Sequence, residues 1–204
     1  MLRFKKNQVI ASTNDKDVMM MVVKGYVKRY LITDNGSLGV QIVYGPRDVF
    51  SLTKVFDLLM WQIIYDGPET YYYETMSDAQ LYALDMTTFT EATQKDPLVY
   101  KDLFSEAGHH LKTCVHSIEN ISLGNTYARV AHELLFCAKE FGVAAPGGVK
   151  LALPLTHQDI ADILGTTRET VSKAIIKLRD KGVIDDIRHY SDQNLKSLEQ
   201  AAYH

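Results

Sequence analysis

The sequence predicts an α+β chain: a β-rich amino-terminal half followed by a helical carboxy-terminal half that carries a helix-turn-helix. Three observations predict it. Short apolar or alternating runs broken by turn residues fill residues 1 to about 95. From Asp96-Pro97 the apolar spacing changes to threes and fours. Residues 156–184 then hold two short amphipathic segments hinged on Gly165.

The bulk numbers fit this. A chain of 204 residues suits one or two small domains with real cores. Its 46% hydrophobic and 23% charged residues are ordinary for a soluble globular protein. A formal charge of −3 argues against blanket attraction to nucleic acid, so any DNA contact must be local. Cys114 and Cys137 are the only cysteines, which suggests a reducing cytoplasm rather than a disulfide scaffold. No signal peptide or spanning segment is evident, so no membrane partner is expected.

In the first half, Met19 to Val23 reads as a strand ending at Gly25. Tyr26 to Thr33 and Leu38 to Tyr44 flank Asp34-Asn35-Gly36, a hairpin signal. Val49-Phe50, Tyr71 to Thr75 and Gln80 to Leu84 supply further strands. Regular short strands of this kind suggest a sandwich or β-roll. Trp61, Tyr65, Tyr71, Tyr72 and Tyr73 are read as alternating core and surface rather than as a pocket lining.

Pro97 suits a helix start. Phe104, Ala107, Leu111, Cys114, Ile118 and Ile121 then recur at 3, 4, 3, 4, 3, a heptad seam that Leu103 and Val115 broaden. The same helix carries His109, His110 and His116. His110 and Cys114, four apart, share a face and offer a metal or haem edge two ligands, too few for a site of one chain. They are read as a buried seam cysteine and solvent-facing histidines, with no metal or cofactor. Thr126 is expected to cap the next helix, whose stripe is Val130, Ala131, Leu134, Leu135, Ala138 and Phe141. Ala145-Pro146-Gly147-Gly148 makes a loop or hairpin turn, and Val149 to Leu153 alternates like a strand.

Thr156 and Asp159 have capping-box spacing, and Ile160, Ala161, Ile163 and Leu164 give a short helix its apolar side. Gly165 suits the positive φ of a tight turn. Thr166 or Thr167 caps the second helix, buried through Val171, Ala174, Ile175 and Leu178. Its outer face offers Arg168, Glu169, Ser172, Lys173 and Lys177, side chains able to reach base edges and phosphates. Residues 168–181 hold five Lys/Arg against two acids. Val183 to Tyr190 suggests another strand or pair, and Asp192 is expected to cap a last helix, Asn194 to Ala202.

The run from Leu153 to Gly165, then Thr167-Arg168-Glu169-Thr170-Val171-Ser172-Lys173, Leu178 and Gly182-Val183-Ile184, resembles the winged-helix DNA-binding region of the CRP/FNR superfamily of bacterial transcription regulators. A weaker resemblance reaches back to about Phe4. It implies a cyclic-nucleotide-binding-type β-roll over 1–95, a dimerisation helix over 96–122 and a winged helix over 123–204. It implies that Arg168, Glu169 and Lys173 read bases, with Ser172 where some members also make a contact; Lys173 replaces the usual Arg. Thr156, Thr167, Lys177 and Arg179 are candidates for phosphate contacts. Double-stranded DNA, a second copy of the chain and RNA polymerase are the implied partners. A small-molecule effector of the β-roll stays open.

The residues that hold cyclic nucleotides do not carry over. Phe50 is followed by Ser51-Leu52-Thr53-Lys54, and residues 61–70 contain no arginine for a cyclic phosphate. Two cysteines cannot supply four thiolates to an iron–sulfur cluster. No nucleophile–base order, phosphate-binding glycine loop or metal-ligand cluster stands out, so no enzyme is expected.

Overall fold

The computed structural model describes residues 1–12, 18–34, 36–50, 71–96 and 98–203. Pro97, Trp61, Tyr65 and the two segments that bear on cyclic nucleotide lie outside the described residues, as does the side chain of Leu103. The described residues form two compact units, Met1–Lys112 and Thr113–His204.

The first unit contains β1 (Leu2–Phe4), β2 (Val9–Ser12), β3 (Val18–Lys24), β4 (Val27–Ile32), β5 (Leu38–Tyr44), β6 (Val49–Phe50), β7 (Tyr72–Thr75) and β8 (Ala79–Asp85). They pair antiparallel into two four-stranded sheets, in the orders β1-β8-β3-β6 and β2-β7-β4-β5. Side chains alternate across a strand, so each sheet turns one face inward. Val22, Phe50 and Leu81 from the first sheet meet Val27, Ile42, Tyr44 and Tyr73 from the second in one buried cluster. This is the expected β-roll. β4 and β5 pair as expected on either side of the turn signal at 34–36, with Ile32 opposite Leu38. Tyr71 and Tyr73 are buried, while Tyr72 is half-buried and stacks on Tyr30.

Within residues 1–95, read as β-rich, helix α1 (Met86–Lys95) follows β8 and was not singled out in the sequence. Its Asp85 cap accepts from the Thr88 amide, and its buried positions are Phe89 and Thr93. One apolar and one polar residue on the buried face leave no hydrophobic period to read.

Helix α2 (Leu98–Ser122) runs through the divide between the units. Within the second unit its buried positions are His116 and Asn120. His116 is therefore not solvent-facing as expected, and Cys114 is exposed in the single chain. Helix α3 (Thr126–Phe141) is capped by Asn125, not Thr126, because the Asn125 side-chain Oδ1 accepts from the Ala128 amide. Its buried stripe includes Val130, Ala131, Leu134, Leu135 and Ala138.

Ala145 to Gly148, read as a loop or hairpin turn, is a hairpin turn: it joins β9 (Gly142–Ala145), a strand not expected from the sequence, to β10 (Gly148–Leu151) in an antiparallel pair. Of the predicted strand over 183–190, β11 (His189–Tyr190) remains, and it closes this sheet in the order β11-β10-β9. Gly148, at φ +147°, lies against the Tyr190 carbonyl, with no room for a side chain. The last helix, α6 (Asp192–Tyr203), packs on α3. Ser191 rather than Asp192 caps it, exchanging hydrogen bonds with Asn194 in both directions.

Candidate nucleic-acid interface

Two short helices make the site: α4 (His157–Leu164) and α5 (Arg168–Asp180). Thr156 begins α4 with a complete capping box. Its hydroxyl accepts from the Asp159 amide, and the Asp159 carboxylate accepts from the Thr156 amide. Eight residues rarely hold a helix without such help. Ile160, Ala161 and Leu164 are buried. Gly165 ends the helix at φ +60°, ψ +43°, the left-handed conformation glycine adopts at least cost, and donates to the Ala161 carbonyl.

Thr167, not Thr166, caps α5; its hydroxyl accepts from the Thr170 amide. Glu169 therefore lies in the first turn outside any capping box, and its carboxylate is exposed. Val171, Ala174, Ile175 and Leu178 are buried at the predicted spacing. The opposite face exposes Arg168, Glu169, Lys173, Lys177 and Arg179, with Ser172 half-buried at its edge.

Several of these side chains have partners inside the unit. The Thr156 hydroxyl proton goes to Asp159 at 2.5 Å, so it is committed to the cap. Lys177 and Lys181 hold their ammonium groups 5.0 and 5.1 Å from the centre of the Tyr127 ring. The Ser172 hydroxyl lies 2.9 Å from Nδ1 of His157, the first residue of α4. Burial, then the nearby Arg179 and Arg168, hold the His157 imidazole below its ordinary pKa. Arg129 on α3 donates from Nη2 to the Leu164 carbonyl at 2.6 Å, fixing the end of α4 beside the turn. Sequence reasoning missed Arg129, His157 and Tyr127. Each acts across 15 to 50 residues of chain, where no local spacing points to it.

The second unit also brings His116, Glu119 and His132 together, one ligand-capable atom of each within 4.8 Å of the others. The imidazoles stack, 4.3 Å between centroids and 24° apart, so their in-plane lone pairs run side by side instead of converging. Asn120 settles the tautomer of His132. Its amide donates to the Arg129 carbonyl and accepts from Arg129 Nε, which aims the remaining N–H at His132 Nδ1, 3.4 Å away. Nδ1 accepts, Nε2 keeps the proton, and Nε2 faces the Tyr203 hydroxyl at 2.9 Å. His116 Nε2 is held by Glu133 at 2.9 Å. This is a satisfied hydrogen-bond network, and its geometry does not gather three lone pairs on one point.

Known proteins share this architecture. A model of the Crp-like helix-turn-helix domain matches residues 128–201. The CRP-like cAMP-activated global transcriptional regulator of Mycobacterium tuberculosis is 24% identical over 176 residues, covering 86% of this chain and 75% of that protein. Over most of its length the chain is similar to regulators of the CRP/FNR type, and the family model itself covers residues 128–201. A transcriptional regulator of that family from Thermus thermophilus, TTHA1359, matches at 25% identity and TM-score 0.70, covering 100% of this chain and 98% of that one. FixK2 of Bradyrhizobium japonicum shares the fold at TM-score 0.78 and 23% identity, over 100% and 96% of the two chains. The match to the Crp-like helix-turn-helix domain spans α4 and α5, and β9 to β11 form the small sheet of the same unit.

Proposed function

We propose that the protein is a homodimeric, sequence-specific, DNA-binding transcription regulator of the CRP/FNR type. One observation carries the reading: α5 turns Arg168, Glu169 and Lys173 outward together, while its other side is locked by Val171, Ala174, Ile175 and Leu178. Such a helix enters the major groove with its amino-terminal residues at base edges. Arg168 and Lys173 suit guanine N7 and O6, and Glu169 suits a cytosine amino group. Ser172 completes the base-reading set. Thr167, Lys177 and Arg179 meet phosphates, joined by Thr156 if its hydroxyl leaves Asp159. Two copies read half-sites about 10 bp apart on a pseudo-palindrome. RNA polymerase is the further partner, and the cytoplasm the place of action. No helix among the described residues is long and apolar enough to cross a membrane.

Selection of bound sites from a random DNA pool tests this. A two-fold symmetric site is expected. Arg168→Ala should relax one base pair by about 1–3 kcal/mol. Lys177→Ala should weaken all sequences alike and flatten the salt dependence. Equal losses on specific and random DNA for Arg168→Ala would remove the base-reading role.

A second reading, a β-roll effector that switches DNA binding, is favoured by Arg29. It shares a strand face with core residue Val27, lies opposite Tyr73, and holds its guanidinium 5.1 Å from the Tyr71 ring. Its Nε is buried without a hydrogen-bond partner, and no carboxylate pairs with it among the described residues. An inward-facing cation of this kind suits an anionic metabolite rather than a cyclic nucleotide held by the missing arginine of residues 61–70. A thermal shift with small carboxylates and phosphates, lost in Arg29→Gln, is the expected result.

A further inference from the structure

Ser172 is the least exposed member of the base-reading face, and its hydroxyl has a partner inside the protein, His157 Nδ1 at 2.9 Å. A serine hydroxyl has one proton and two lone pairs, so what it offers a base depends on what it gives His157. A neutral imidazole with a bare Nδ1 takes the serine proton and leaves the oxygen able to accept. A protonated imidazole carries hydrogen on both nitrogens. It must then donate to the serine oxygen, and the serine proton is forced outward toward a base acceptor.

We infer that His157 is a specificity-positioning residue: through the Nδ1–Ser172 bond, its protonation state sets whether Ser172 accepts from or donates to the base pair it reads. The inference rests on the assignment of α5 as the base-reading helix. The charged groups facing His157 are Arg168 and Arg179 of α5, and Asp159 of its own helix is held by the Thr156 cap. Partial burial, then Arg179 and Arg168, hold the ring below its ordinary pKa and so favour the neutral form, in which both hydroxyl orientations are open. Phosphates of bound DNA oppose the arginines and shift the balance back toward the protonated ring.

The base pairs distinguish the two states. Adenine N6 and cytosine N4 are amino donors and need an accepting serine, while guanine O6 and N7, adenine N7 and thymine O4 need a donating one. Protonation of His157 removes the first option and leaves the second.

Site selection with the full chain at pH 8.0 and pH 5.5 tests this, read as the ratio of bases at each position so that a uniform change in affinity cancels. At one base pair per half-site, lower pH is expected to disfavour pairs presenting an amino group to Ser172 by about fivefold, the worth of one hydrogen bond. Ser172→Ala should abolish the preference at that pair. His157→Gln should keep a preference and lose its dependence on pH. An identical profile at both pH values in the unmodified protein, or a pH dependence that survives in His157→Gln, overturns the inference. Arg168→Ala separates the two levels. If it relaxes a different base pair at both pH values, the base-reading helix stands whatever His157 does; if it changes no position, that assignment has failed.

Discussion

Arg129 directs its guanidinium into the protein. It donates from Nη2 to the Leu164 carbonyl and from Nε to Asn120, whose amide in turn fixes His132. One half-buried cation therefore joins α2, α3 and the end of α4. Hydrogen bonds from a charged donor are each worth about 1.5–3 kcal/mol, and the carbonyl left behind would be unsatisfied. Arg129→Met keeps much of the side-chain volume and removes the donors; denaturant unfolding should show a loss of about 2 kcal/mol or more. Specific DNA binding should weaken as well, because the turn before α5 loses its anchor. His132, in the same network, has a pKa lowered from 6.5, first by burial and then by His116. The unfolded chain takes up a proton near the ordinary value while the folded chain resists. In that window the unfolded state binds more protons, so stability falls as pH drops through 6.5 and is unaffected by this group well above it. His132→Gln should flatten that part of a stability–pH profile measured by thermal melting. Neither residue was legible in the sequence. Arg129 lies beside a helical stripe and reads as solvated, and His132 lies on the stripe with nothing nearby to mark its partners.

At the scale of elements, what was legible follows from how locally each signal is encoded. The helix-turn-helix could be read in detail because caps, turn glycine and buried stripe all fall within 25 residues, from Thr156 to Asp180. Helix α1 and strand β9 could not, for opposite reasons. The buried face of α1 is Phe89 and Thr93, too sparse to show a period. Strand β9 is Gly-Val-Ala-Ala, which has no strand preference of its own and takes its conformation from pairing with β10. The misplaced caps at Asn125 and Ser191 are a milder case. Neighbouring residues of equal capping ability differ only in which one the packed helix brings into register. Gly165 tests the local encoding directly. A side chain there meets no atom within 4 Å, so a substitution costs only backbone strain. Gly165→Ala should destabilise by about 1 kcal/mol, and Gly165→Asn by less, because asparagine tolerates the left-handed region better. Equal losses for the two would mean that the turn geometry is not what the position requires.

At the scale of the molecule, the open question is what covers α2. Phe104, Leu111, Ile118 and Ile121 are 82%, 65%, 65% and 74% exposed, and they fall on the predicted heptad seam. In the second unit the other side of the same helix is already engaged, through His116 and Asn120. A row of large apolar side chains left in water along one helix is characteristic of a surface that has a partner. The proposed homodimer would cover it, because a heptad seam is self-complementary about a two-fold axis and the proposed pseudo-palindrome has the same symmetry. Burying each such side chain stabilises by roughly 1.5–3 kcal/mol, and a two-fold axis counts every one twice. Ile118→Glu together with Leu111→Glu reverses both terms, removing apolar burial and setting like charges opposite one another. Sedimentation at micromolar concentration should then give a monomer where the unmodified chain gives a dimer. Far-ultraviolet circular dichroism should change little, since neither residue is buried within one chain. Affinity for a full pseudo-palindrome should fall to that for a single half-site, because the second helix-turn-helix no longer arrives already positioned. A dimer that survives both substitutions would place the association surface elsewhere, and the exposed row on α2 would need another occupant.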